Sequence, residues 1–154
     1  MIIFNKEFEA KYLKEWPSTG PIPINMLSLI NNGFVMHSNE CIFFLEKQPI
    51  DSKENDGNFF DKTEQEIFYN SLRVSDYVEK DIVSVAINVT KMIISALREK
   101  FPEKRFEVIT SFDDFEGEID AMIKLHTLRD GEVPYINVKD INKYQQPIFI
   151  CRTS

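Results

Sequence analysis

The sequence predicts an α+β fold, with helices packed on one face of a mostly antiparallel sheet. Two observations carry this. Up to about residue 100, apolar residues recur at helical spacing, ending in one long stripe. From Arg105 onward the pattern switches to strict alternation, clearest over Glu118–Leu128. At 154 residues with thirteen phenylalanines the chain has material for one core, so a single domain, 1–154, is expected.

The elements follow in order. Asn5 is placed to cap a first helix whose apolar positions are Phe8, Tyr12, Leu13 and Trp16, and Pro17 should stop it. "PSTGPIPI" reads as a stiff connection, because its prolines fix φ and remove donors. Phe34–His37 and Cys41–Glu46 read as a hairpin, followed by a polar acidic loop, 48–60. Asp61-x-x-Glu64 and Thr63-x-x-Glu66 both fit a capping box for a second helix. Ser75 is expected to cap the central helix, Asp76 to Lys100, whose stripe holds Ile82, Val85, Ala86, Val89, Ile93 and Leu97. Arg98 and Lys100 suit its C-terminal dipole, and Pro102 ends it.

Arg105–Thr110 then reads as a strand. In Glu118–Leu128, Ile119, Ala121, Ile123 and Leu125 share one face, while Asp120, Met122, Lys124 and His126 share the other. "RDGEVP" reads as a turn, "NVKDINKY" as a short helix or turn, and "PIFIC" as an apolar strand that could lie at a sheet edge or inside it.

Charge is concentrated. Net charge is −7. Residues 51–66 hold six acids against two lysines, and 111–120 hold Asp113, Asp114, Glu116, Glu118 and Asp120 with no base. Such surfaces repel nucleic acid and anionic membranes and attract basic proteins or cations. No apolar run reaches the ~18 residues of a membrane helix, and the N-terminus lacks the basic and apolar regions of a secretory signal. Cys41 and Cys151 both lie in apolar stretches, which suits buried thiols in a cytoplasmic protein better than a disulfide framework.

Chemistry-bearing motifs are sparse. Setting Gly117 at position 6 of a calcium loop puts Phe112 first and Ile123 last, and setting Gly57 there puts Ser52 first and Thr63 last. Neither end supplies a ligand, so no metal and no cofactor are expected. The acidic run, as a wet turn between strands, suits a general acid/base pair poorly. His37 and Cys41 flank one turn, which is thin support for a nucleophilic dyad, and His126 should face solvent or a partner. No phosphate loop, G-x-S-x-G or C-x-x-C occurs.

The remaining reading is binding. The partner surface is assigned to Asp113, Asp114, Glu116, Glu118 and Asp120, with Asp51, Glu54 and Asp56 of the acidic loop nearby. In size, acidity and organisation, and in the feel of "DGEVPYINVKDINKYQQPIFICRTS", the chain resembles the immunity proteins of bacterial polymorphic-toxin and contact-dependent growth inhibition systems. That resemblance implies a non-catalytic cytoplasmic inhibitor of a cognate toxin domain, often a basic nuclease. The rivals are a small hydrolase pairing His126 with Asp120 or Glu118, and a non-catalytic adaptor subunit.

Overall fold

The computed structural model describes residues 1–16, 19–50 and 56–153, and it has the α+β architecture that the periodicities predict. Its sheet is antiparallel throughout, with strands β1 (Ile2–Phe4), β4 (Leu72–Arg73), β5 (Phe106–Phe115), β6 (Glu118–Thr127) and β7 (Ile148–Arg152) in the order β1-β7-β5-β6-β4. A separate ribbon pairs β2 (Phe34–Met36) with β3 (Ile42–Phe44). The helices are α1 (Lys6–Tyr12), α2 (Ile24–Asn31), α3 (Lys62–Tyr69) and α4 (Ile82–Lys100). None is long and apolar enough to cross a membrane.

Alternation explains the layers. Val108, Phe112, Ala121, Ile123, Leu125 and Phe149 point to one face, where they form the main core with Ile82, Val89, Ile93 and Leu97 of α4. α1 and α2 join that side through Phe8, Met26, Leu29 and Ile30. The opposite face holds a smaller cluster in which Ile109, Ile148 and Ile150 meet Ile136 and, from the 3-10 turn Val138–Lys143, Ile141. "PIFIC" is thus an inner strand, between β1 and β5.

Asn5 does more than cap. Its side chain accepts from Phe8 N and Ile148 N, both at 2.9 Å, and donates to Gln146 O at 2.7 Å, which ties α1 to β7. Asp61 caps α3 as expected, accepting from Glu64 N at 2.8 Å.

Three expectations need correction. α4 begins at Ile82, not Asp76, and Ser75 does not cap it; Val74–Asp76 is a separate 3-10 turn. The amide and hydroxyl of Ser75 are both spent on Asp120. β5 continues through Phe115, so most of the acidic run is strand and only Glu116–Gly117 turns. His126 is 1% exposed rather than solvated. α2 and the edge strands β1 and β4 gave no sequence signal: α2 follows Pro23, which supplies no side-chain cap, and both strands have at most three residues.

Candidate functional site

The β5–β6 hairpin reaches past its neighbours. β7 pairs with β5 only as far as Ser111, and β4 pairs with β6 only at Met122 and Ile123. The pairs from Asp113↔Asp120 to Phe115↔Glu118 therefore form a free two-stranded tip. Its turn places Glu116 at φ 54° and Gly117 at φ 86°. Two positive φ values are what a two-residue loop on twisted strands requires, and Gly adopts the second without strain. Asp114 Oδ1 accepts from Gly117 N at 2.9 Å and braces the turn.

The five predicted carboxylates divide. Asp113, Asp114, Glu116 and Glu118 are exposed. Asp113 accepts from Gln146 Nε2. No hydrogen bond or ion pair engages the carboxylates of Glu116 or Glu118 among the described residues. Phe115 stands among them with 74% of its surface exposed. Asp120 stands apart from these four, because its carboxylate is bonded within the fold. It accepts from Arg73 at 3.1 Å, from Ser75 N and Oγ at 3.1 and 2.7 Å, and from Ala121 N at 2.8 Å. Burial pushes its carboxyl up, but these bonds outweigh burial and hold it below the ordinary range.

Beside the tip, a cleft of about 690 Å³ opens toward the start of α4. Among the described residues, Glu15, Glu79, Asp81 and Glu118 line it with the base Lys80. Asp51 and Glu54 lie outside the described residues, and Asp56 opens a 3-10 turn, Asp56–Asn58. That turn leads into α3, whose Lys62 N reaches Glu132 and whose Glu66 bonds Thr127, at the far end of β6. Nine residue steps separate Glu118 from Thr127, roughly 30 Å along the strand.

At that far end sit the buried groups the sequence hid. His126 does not pair with Asp120 or Glu118. Its Nε2 lies 3.0 Å from Glu107 Oε1 across the β5–β6 register, and its Nδ1 meets Thr127 O at 2.9 Å. Arg152 Nε donates to Glu107 Oε2 at 2.5 Å. Burial pushes Glu107 up, yet His126 and Arg152 hold it below the ordinary carboxylate range. A second network centres on Glu66, which is fully buried. It accepts from Ile42 N, Thr127 N, Thr127 Oγ1 and Arg129 at 2.7–2.9 Å. Burial works against the Arg129 charge, but Glu66 more than offsets it and raises the guanidinium further.

His37 and Cys41 turn to different partners. His37 Nε2 meets Gln48 at 2.8 Å, and Cys41 Sγ donates to Gln65 at 3.4 Å. Cys151 is buried, and burial pushes its thiol up to about 11. Among the described residues no group of three or more His, Cys, Asp or Glu is placed to hold a metal ion.

A helical stripe could have revealed Glu66: Thr63, Glu66, Ile67 and Asn70 follow i, i+3, i+4, i+7 spacing and are all buried. Glu107 offers no such signal, because a Glu on an alternating strand ordinarily faces water.

The model of the Uncharacterized protein PM0498 family matches residues 3–154, and the chain belongs to that family. No curated protein and no solved structure matches it.

Proposed function

We propose that this protein is a non-catalytic binding protein, an immunity protein acting in the cytoplasm, that neutralises a basic toxin domain through its acidic hairpin tip. The observation that carries the reading is the tip itself. Four exposed carboxylates surround an exposed Phe115 on a ribbon that projects beyond the sheet. A central aromatic anchor within a charged rim is the arrangement that gives a protein interface both affinity and fast, selective encounter. The acid-lined cleft beside Glu118 offers a berth for a lysine or arginine of the partner. Basic nucleases present such side chains because they bind phosphate backbones.

The buried titratable groups support the same reading, since Glu66, Glu107 and His126 all bond to protein partners that hold strands and helices together. The test is association kinetics with the toxin domain encoded by the neighbouring reading frame, measured across a salt series. Reversing Asp113, Asp114 and Glu116 to Lys should slow association by at least roughly tenfold. Phe115→Ala should chiefly speed dissociation. Unchanged kinetics in both variants would remove the tip from the interface. Turnover of a substrate by the purified protein, abolished in a folded His126→Ala variant, would overturn the non-catalytic assignment.

A further inference from the structure

The chain between β6 and β7 folds back over the face of the sheet opposite α4. Ile136 and Ile141 pack there on Ile109, Ile148 and Ile150. Beside that contact a cavity of about 310 Å³ remains, at the lower end of the range for small-molecule sites. Register explains its lining. Ile109 pairs with Lys124 across β5 and β6, and Ser111 pairs with Ile148 across β5 and β7, so all four point to this face. The returning chain adds Tyr135, Tyr144 and Gln146.

Apolar walls, two phenol rings and one ammonium meet in this cavity. Ile109 and Ile148 are buried, whereas Tyr135 and Tyr144 are 43% and 40% exposed and so stand at its mouth. Lys124 Nζ donates to the Tyr135 hydroxyl at 3.0 Å and lies 5.2 Å from the centre of that ring. An ammonium has three N–H groups and accepts nothing, so Lys124 keeps two donors and the Tyr135 hydroxyl keeps its own hydrogen. Among the described residues no carboxylate pairs with Lys124, and no hydrogen bond engages the hydroxyls of Ser111 and Tyr144. Gln146 spends one amide hydrogen on Asp113, which is not itself a lining residue. The net charge of −7 opposes an anion at long range, but physiological salt screens that field beyond about 8 Å. Inside the cavity the charge that meets a ligand is positive.

We propose that this cavity binds a small aromatic carboxylate. The carboxylate takes hydrogen bonds from Lys124 and from the hydroxyls of Tyr135 and Ser111, while the ring lies against Ile109, Ile148 and the phenol rings. One ammonium matches one negative charge, whereas a phosphate dianion would carry an uncompensated charge into a half-buried site. The inference rests on the cavity and not on the hairpin tip, so it stands independently of the function proposed above.

Titration of the full chain with 2-naphthoate and with neutral 2-naphthamide, followed by amide chemical shifts, tests the proposal. Naphthoate should bind saturably below about 1 mM and shift the amides of Ser111, Lys124 and Tyr144. Naphthamide should bind at least roughly tenfold more weakly, because it forfeits the hydrogen bonds of a charged pair. Lys124→Met should abolish that difference, and Lys124→Arg should restore it in part. Ser111→Ala removes one donor and breaks no bond of the fold, so it should weaken naphthoate by roughly threefold or more at an unchanged melting temperature. Glu116→Lys, at the tip, should leave naphthoate binding intact. The proposal is overturned if naphthoate fails to saturate up to about 5 mM, if naphthamide binds as well, or if the shifts fall around α4 instead. Hexanoate binding as tightly as naphthoate would overturn the aromatic assignment.

Discussion

The two ends of the β5–β6 ribbon carry the same kind of side chain and treat it in opposite ways. At the base, Glu107 and Glu66 are fully buried. Between them they accept from His126, Arg152, Arg129, Thr127 and Ile42. At the tip, Asp113, Asp114, Glu116 and Glu118 are exposed. A carboxylate taken out of water costs several kcal/mol unless donors replace the lost hydration. The base supplies those donors from β3, β6, β7 and the loop after β6, and the tip supplies few because the sheet has ended there. Local composition does not decide the fate of a carboxylate; the presence of neighbouring strands does. Charge that is matched inside the protein serves the fold, and charge left unmatched at the tip is available to a partner.

The contrast is broken most directly at Glu66. This one side chain joins the free edge of β3 to the end of β6 and balances Arg129. Glu66→Ala should cost about 3–5 kcal/mol, the range for removing one partner of a buried ion pair. Denaturant melts at neutral pH measure this. A cost below about 1 kcal/mol would mean that water enters the base and that the two ends are less different than their geometry indicates.

Glu107 should come next. Glu107→Gln keeps the shape and an acceptor but removes the charge facing Arg152 and His126, at about 1.5–3 kcal/mol, the range for hydrogen bonds to charged groups. The pH dependence follows from its lowered pKa. A carboxylate depressed in the folded state contributes its stability above its unfolded value, near 4.5, and loses it as the pH falls through the folded value. The wild type should therefore weaken on acidification below about pH 4.5, and Glu107→Gln should flatten that limb in part. Asp120 and Glu132, also lowered, retain the remainder. An identical acid limb in the variant would show that Glu107 is not ionised in the folded protein.

The sequence makes the backbone of this arrangement legible and much of its chemistry illegible. The period switch near Arg105 locates the long ribbon, and the stripe from Ile82 to Leu97 locates the helix beneath it, because both signals come from large buried residues repeated many times. The acidic tip is legible because five acids lie within ten residues. The base network is not, since Glu66, Glu107, His126, Arg129 and Arg152 meet only after strands distant in sequence are set in register. His126 looks like a surface residue because its neighbours on that face, Lys124 and Asp120, are polar. Nothing local says that Arg152 will arrive on the next strand but one. Ser75 misleads for the same reason: its partner is Asp120, 45 residues away.

Asp120 is the intermediate case, on the strand that leads from one end to the other. It is half-buried and bonded to Ser75, Ala121 and Arg73. Asp120→Ala should cost about 1 kcal/mol, the usual net worth of a partly exposed hydrogen-bonding group, and should loosen the 3-10 turn Val74–Asp76 that Asp120 holds. Hydrogen exchange at the Ser75 amide reports this separately from global melting. A cost as large as that of Glu66→Ala would move the boundary between the two regimes toward the tip.

The smallest effect on stability belongs to the tip, and there a small number is the informative one. Reversing Asp113, Asp114 and Glu116 to Lys exchanges three exposed carboxylates for three exposed ammonium groups. Asp113 gives up its bond to Gln146, and Asp114 gives up its brace on Gly117. The backbone pairs of the ribbon and the glycine at φ 86° remain. Exposed substitutions usually stay within about 0.5 kcal/mol, and the relief of repulsion among neighbouring acids offsets part of the lost bracing. The melting midpoint should hardly move, and its salt dependence should fall, because screening relieves the like-charge repulsion of the wild type. A loss above about 2 kcal/mol would mean that the carboxylates serve the turn as Glu66 serves the base, and the tip would cease to be surplus charge. A silent melt with a slowed, salt-insensitive encounter with a basic partner is the pairing of results that a surface reserved for binding requires.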